Sequence, residues 1–113
     1  MSDYYQGKTA VITGGASGVG RSIAFGLGRA GANVVVGDVD ANAMEAIAAD
    51  LSAENIPHRV ERCDVTSTDS LQGLLDASLE TFSQVDLVFA NAGIGAGEEV
   101  TWTHNHTFVN ERH

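Results

Sequence analysis

Positive charge is scarce in this chain: six lysines and arginines stand against fifteen aspartates and glutamates, for a formal charge of −9. Nucleic acid and anionic membrane surfaces both require a basic face, so neither is expected as a partner. Cysteine is nearly absent. Cys63 alone rules out an internal disulfide and fits a reducing compartment, so a cytoplasmic location is expected. Long apolar runs are missing too, and Met1 to Lys8 contains no signal-peptide core, which excludes a membrane span or a secretory leader in these residues. Proline occurs once, at Pro57, and aromatic residues make up 6% of the chain. What remains is a chain of 113 residues, 43% hydrophobic, which suits one modest globular core.

Glycine, by contrast, is plentiful, and its placement organises the chain. Ala10 to Ile12 is an apolar run that breaks into Thr13-Gly14-Gly15-Ala16-Ser17-Gly18-Val19-Gly20 and then into a segment of helical period. A short apolar run before a glycine-rich turn predicts a buried parallel strand. Gly14 permits the tight turn off that strand, and Gly18 lets backbone N–H groups approach a phosphate without a Cβ in the way. Gly20 lets the following helix pack close against the strand. The helix start offers unpaired N–H groups and the positive end of its dipole, with Ser17 adding a hydroxyl, and that is where a pyrophosphate would sit. The spacing is not that of the general Gly-x-Gly-x-x-Gly dinucleotide fingerprint. Nor is it a nucleotide-hydrolase phosphate loop, since no Gly-Lys-Ser/Thr follows.

Downstream, strand and helix signals alternate. Gly18 to Ala30 predicts a helix with Val19, Ile23, Leu27 and Ala30 facing inward and Gly31 as its cap. Asn33 to Asp38, with β-branched Val34-Val35-Val36, predicts a second strand. Asp40 caps a helix running to about Glu54, with Met44, Ile47, Ala48 and Leu51 inward. After Pro57 a more polar third strand is expected over Arg59 to Asp64. A third helix starts at Ser67 or Thr68 and turns Leu71, Leu74, Leu75, Leu79 and Phe82 inward; a fourth strand covers Val85 to Ala90. Alternation with short loops means parallel strands and right-handed crossovers. The expected fold is therefore α/β and Rossmann-like, a partial doubly wound parallel sheet of strand order 3-2-1-4. The first two helices cover one face and the third covers the other.

Asp38, at the end of the second strand, can accept hydrogen bonds from both adenosine ribose hydroxyls and would repel a 2′-phosphate. Neither Ser17 nor Val39 is basic, so no cation is expected to meet a 2′-phosphate, and NAD is expected over NADP. Cys63 reads as a packed strand thiol. Tyr4 and Lys8 have a Tyr-x-x-x-Lys spacing, but Gly7 intervenes and Lys8 leads into the first strand, so the two side chains are not expected to converge. His104 and His106 alternate on a polar segment and lack an obvious third ligand, so no metal site is expected.

Taken together, Thr13-Gly14-x-x-x-Gly18-x-Gly20, the strand-end acid Asp38, the pair Asp64-Val65 and Ala90-Asn91-Ala92-Gly93 resemble the motifs of the short-chain dehydrogenase/reductase family. The resemblance covers Lys8 to about Ile94. It implies a nicotinamide cofactor held by Gly14, Ser17, Gly18, Val19, Gly20, Asp38, Val39, Asp64, Val65, Asn91, Ala92 and Gly93. In this reading Asp64 and Val65 contact the adenine ring, Asn91 steadies the sheet near the cofactor ribose, and Gly93 leaves room for it. Ala90 stands where the family pattern has a first Asn.

Family members run to about twice this length, and their catalytic Ser, Tyr-x-x-x-Lys pair and substrate loop belong to the second half. Trp102 and Val109-Asn110 echo the family's next helix at altered spacing, which makes Asn110 the candidate for its proton-relay Asn. The expected organisation is a nucleotide-binding half-domain over 1–94 and a polar, irregular tail over 95–113, truncated after the fourth strand. The expected function is the cofactor-binding portion of an NAD-dependent dehydrogenase, with no turnover on its own. The alternatives are an inactive nucleotide-binding or subunit-pairing module, or a non-functional truncation product. With no fifth strand expected, Val85, Leu87, Val88 and Phe89 would form an open edge through which the chain self-associates or pairs with a full-length homologue.

Overall fold

Thr9–Thr13 forms strand β1, and all five of its residues are buried because it lies inside the sheet with helices over both faces. The computed structural model describes residues 4–16, 18–90 and 100–102. Along the chain follow α1 (Gly18–Arg29), β2 (Asn33–Asp38), α2 (Ala41–Ala53), β3 (His58–Arg62), α3 (Thr68–Phe82), β4 (Leu87–Ala90) and β5 (Val100–Trp102). The first four strands are parallel in the order β3-β2-β1-β4, as their alternation with helices predicts. Register runs Val11↔Val35 between β1 and β2, Val11↔Val88 between β1 and β4, and Asp38↔Arg62 between β2 and β3.

Side chains alternate across the sheet, so each strand feeds two cores. Ala10, Ile12, Val34 and Val36 meet Ala24, Phe25 and Leu27 of α1 and Met44, Ile47 and Leu51 of α2. Val11, Val35, Cys63, Val85 and Val88 meet Leu74 of α3 on the opposite face. The expected division of helices between faces is therefore observed. Local chemistry sets the boundaries. Asp40 accepts from the Ala43 N–H at 3.0 Å to start α2, Ser67 accepts from the Ser70 N–H at 3.1 Å to start α3, and Gly31, at φ +102°, turns the chain out of α1.

Several expectations are corrected. Val19 and Leu79 do not face inward; they are 66% and 41% exposed. The buried stripe of α1 is instead Gly20, Ala24, Phe25, Leu27 and Gly28, rotated from the predicted one because two of its members are glycines. The strands β3 and β4 are shorter than expected, and Cys63 and Asp64 lie beyond the end of β3. The outer edge of β4 is not open: β5, from the stretch expected to be irregular, pairs antiparallel with it through Val88↔Trp102 and Ala90↔Val100. With β4's outer backbone groups taken up by β5, that strand no longer offers the free template on which edge-to-edge association was expected. Among the described residues no helix is long and apolar enough to cross a membrane.

Candidate functional site

At the carboxyl end of β1 the chain turns through Gly14, whose φ of +65° lies in the left-handed region where a Cβ is disfavoured. The loop is tied to the end of β2 by its backbone: the Gly14 and Gly15 N–H groups point to the Gly37 carbonyl at 2.7 and 3.4 Å. Gly18, at φ +59°, opens α1 with nothing within 4 Å of where a Cβ would project. Gly20 is the opposite case. A Cβ there would lie 2.2 Å from the Gly14 carbonyl oxygen and 2.8 Å from the Gly15 Cα, so the first turn of α1 rests directly on the loop backbone. Loop and helix start thus make a surface of bare backbone beside the positive end of a helix dipole, chemistry that suits a phosphate group.

Asp38 closes this surface from the side. Its Oδ2 accepts from the Ala16 N–H at 3.2 Å, and its Oδ1 accepts from the Val39 and Asp40 N–H groups at 2.7 and 3.1 Å. The carboxylate therefore faces the glycine loop, half-buried, and Asp40 rather than Asp38 caps α2. Val39 is 56% exposed beside it, and Val19 stands exposed at the first turn of α1.

Beyond β3, Asp64 accepts from the Thr66 hydroxyl at 2.6 Å and from the Thr66 N–H at 2.9 Å, and these bonds hold its carboxyl below the usual carboxylate range. Val65 follows, half-buried. Cys63 is packed under Gly37, where a Cβ would come within 2.9 Å of the Cys63 Cβ. Burial, and then the charge of Asp64, push its thiol up against the opposing pull of the Arg62 guanidinium, as suits a packing thiol.

The fold thus brings Gly14, Gly18, Val19, Gly20, Asp38, Val39, Asp64 and Val65 to the carboxyl ends of three adjacent strands. Ser17, Asn91, Ala92, Gly93, Asn110, His104 and His106 lie outside the described residues. Sequence reasoning missed Gly15, Ala16 and Gly37. Gly15 is buried where a Cβ would meet Ile12 and Val36 at 3.0 Å, Ala16 supplies the N–H that Asp38 grips, and the Gly37 carbonyl anchors the loop. Only the second Gly of the Gly14-Gly15 pair signals any of this in the sequence.

The Tyr4–Lys8 expectation is also corrected. The side chains do meet, with the Lys8 ammonium 5.2 Å from the centroid of the Tyr4 ring. They meet as a cation over a ring face, on a turn and not a helix, ahead of the amino end of β1 and so at the far end of the sheet from the glycine loop. The contact is remote from the candidate site.

The residues present fit a dinucleotide: a loop that bare backbone lines, a helix start on it, and an acid at the end of the next strand gripping the loop. A family model described as short chain dehydrogenase matches residues 8–111. The chain is 40% identical over 88 residues to 3beta-hydroxysteroid dehydrogenase 2 of Eggerthella lenta, an alignment covering 78% of this chain and 34% of that protein. It is 38% identical over 88 residues to D-threitol dehydrogenase of Mycolicibacterium smegmatis, with the same coverage of each, 78% and 34%. Among solved structures it resembles a short chain dehydrogenase/reductase from Burkholderia phymatum in complex with NAD, at 41% identity and a TM-score of 0.79 over 85% of this chain and 34% of that one. A hydroxysteroid dehydrogenase from Escherichia coli superposes with a TM-score of 0.78 at 36% identity, over 85% of this chain and 42% of that one. The chain spans about a third of the length of the curated relatives it matches.

Proposed function

The chain belongs to the short-chain dehydrogenase family, and from that premise we propose that it is the cofactor-binding portion of an NAD-dependent oxidoreductase. The single observation that carries this reading is the Asp38 carboxylate, held against the Ala16 N–H of a glycine loop whose helix start rests on the Gly14 carbonyl. In this reading residues 1–94 form the nucleotide-binding unit. The N–H groups around Gly14, Ser17 and Gly18 receive the pyrophosphate, with Gly20 seating the helix. Asp38 receives the adenosine ribose, with Val39 alongside. Asp64 and Val65 border the adenine, Val19 and Asn91 to Gly93 border the far ribose and ring, and Asn110 is the proton-relay candidate. The bound nicotinamide supplies the acceptor or donor of a hydride exchanged with an alcohol or carbonyl compound. Asp38 favours NAD over NADP, because a carboxylate repels a 2′-phosphate that is not neutralised. A cytoplasmic location goes with the reducing compartment that a single buried thiol suits.

Calorimetric titration of the purified chain with NAD, and with NADP as control, tests the reading. Binding of NAD with much weaker binding of NADP is expected; no heat with either would overturn it. Tyr-x-x-x-Lys spacing occurs in this sequence only at Tyr4 and Lys8, so binding is expected without alcohol oxidation by the 113-residue chain alone. A second reading, pairing with a longer homologue, is favoured by α3, where Leu79 is 41% exposed beside half-buried Leu75 and Phe82. Mixed oligomers with an intact relative in native mass spectrometry would support it.

A further inference from the structure

We propose that Arg62 is a specificity-determining residue of the adenosine site, a cation that receives a 2′-phosphate once the charge of Asp38 is removed. This inference rests on the dinucleotide reading above. It starts from the sheet register, which pairs Asp38 of β2 with Arg62 of β3 at the carboxyl ends of both strands. Residues so paired project from the same face of a parallel sheet, and neighbouring strands lie about 4.8 Å apart. Val60, two residues before Arg62, packs into the core under α1 and α2, on the face that Val34 and Val36 also occupy. Asp38 follows Val36 at the same interval. Both side chains therefore leave the sheet on the α2 side, at adjacent positions.

The state of Arg62 differs from that of the other arginines among the described residues. Arg21 is bonded to Asp50, Arg29 is bonded to Glu54 through two nitrogens at 2.7 and 2.8 Å, and Arg59 contacts Glu61 at 3.1 Å and Glu80 at 2.8 Å. Arg62 is exposed and makes no salt bridge or side-chain hydrogen bond among the described residues, its charge acting only through space on Asp64 and Cys63. Asp38, its natural partner by position, spends both carboxylate oxygens on the N–H groups of Ala16, Val39 and Asp40. A guanidinium with its N–H groups not bonded, beside the ribose-facing acid, is a fork suited to a phosphate ester, which it can grip through two parallel N–H···O bonds. In the native chain the Asp38 charge opposes that ligand. The selectivity for NAD thus depends on one carboxylate, with a cation behind it that the chain neighbours of Asp38 do not disclose.

The test is a calorimetric series on the 113-residue chain with NAD, NADP and adenosine 2′-monophosphate as probes, comparing the native chain with Asp38→Asn, Asp38→Asn/Arg62→Ala and Asp38→Asn/Arg62→Lys. Asparagine keeps an acceptor for the Val39 and Asp40 N–H groups. Asp38→Asn is expected to gain NADP affinity, and Arg62→Ala in that background is expected to lose about tenfold or more of it, the worth of a charge-assisted hydrogen bond. Lysine is expected to hold part of the gain. Equal NADP affinity with and without Arg62, in variants that still bind NAD, would overturn the proposal and leave the dinucleotide reading standing. Failure of the native chain to bind NAD would overturn both. Should Asp38→Asn not fold, as judged by circular dichroism, Arg62→Glu in the native background is the second arm. It is expected to weaken adenosine 2′-monophosphate more than NAD, and equal changes in both would overturn the proposal.

Discussion

The two ends of the sheet use the same kind of group, a half-buried carboxylate among backbone N–H groups, to opposite effect. At the amino end Asp86 accepts from the Thr9 N–H at 2.8 Å and from the Gln84 amide at 2.7 Å. The Asp86 N–H returns a bond to the Thr9 carbonyl at 2.9 Å, and the Asn33 amide reaches the Thr9 hydroxyl at 3.1 Å. These bonds close on one another and join β4 to β1. At the carboxyl end Asp38 holds a loop whose neighbouring elements leave Gly18 in open space and Val19, Val39 and Arg62 exposed. One end has satisfied its polar groups internally and serves stability. The other holds its groups in place with their outward sides free, and that is what a ligand needs.

The comparison can be broken from either end. The largest effect is expected for Gly20→Ala, which forces a methyl group to within 2.2 Å of the Gly14 carbonyl and must push α1 off the loop. Overpacking against backbone costs about 1–3 kcal/mol. Because the displaced atoms are those of the loop, cofactor affinity should fall further than the melting temperature indicates, as calorimetry and thermal melts on the same samples would show. Next, Asp86→Ala strands the buried Thr9 N–H, a loss of about 1–3 kcal/mol that should lower Tm by roughly 4–12 °C. NAD affinity should stay as it was, and a drop in affinity without a drop in Tm would break the separation of the two ends. The smallest effect concerns Asp64. Its folded-state carboxyl is depressed by Thr66, so its contribution to stability is present above the unfolded value of about 3.9 and is lost as pH falls through the lower folded value. Thr66→Val removes the hydroxyl, and urea melts at neutral and acid pH should show a slightly shallower acid loss than in the native chain.

Much of this arrangement was legible in the sequence, because strong local signals agree with the global fold. The apolar run into Gly14, the β-branched run Val34 to Val36, and the caps Asp40 and Ser67 each state a local preference that the tertiary structure keeps. The misses share a cause, which is that they concern residues without a side-chain signal or contacts between distant segments. The buried face of α1 contains Gly20 and Gly28, and a hydrophobic period cannot register a residue that is inside because it lacks a side chain. Gly28 is there so that Ile56 can approach, since a Cβ would come within 2.7 Å of it. Val19 was assigned to the core for the same reason. Arg62 carries no local signal, since its significance depends on the register of β3 against β2. Pairing of β4 by Val100–Trp102 belongs to the same class, a contact between separate segments through a strand of three residues, too short for its alternation to stand out.

The seat of Gly20 on the Gly14 carbonyl has a thermodynamic corollary. A phosphate loop that is free in solution must surrender backbone entropy when it closes on a ligand, on the order of 1–2 kcal/mol per residue fixed. Here Gly14 and Gly15 are bonded to Gly37, Ala16 is bonded to Asp38, and the helix start rests on Gly14, so that ordering has already occurred during folding. On the proposed reading, binding energy from a pyrophosphate would then be available as affinity rather than spent on arranging the loop. The stability of the carboxyl ends of β1 and β2 and the tightness of the site become one quantity: a substitution that loosens those strand ends also makes the loop harder to order.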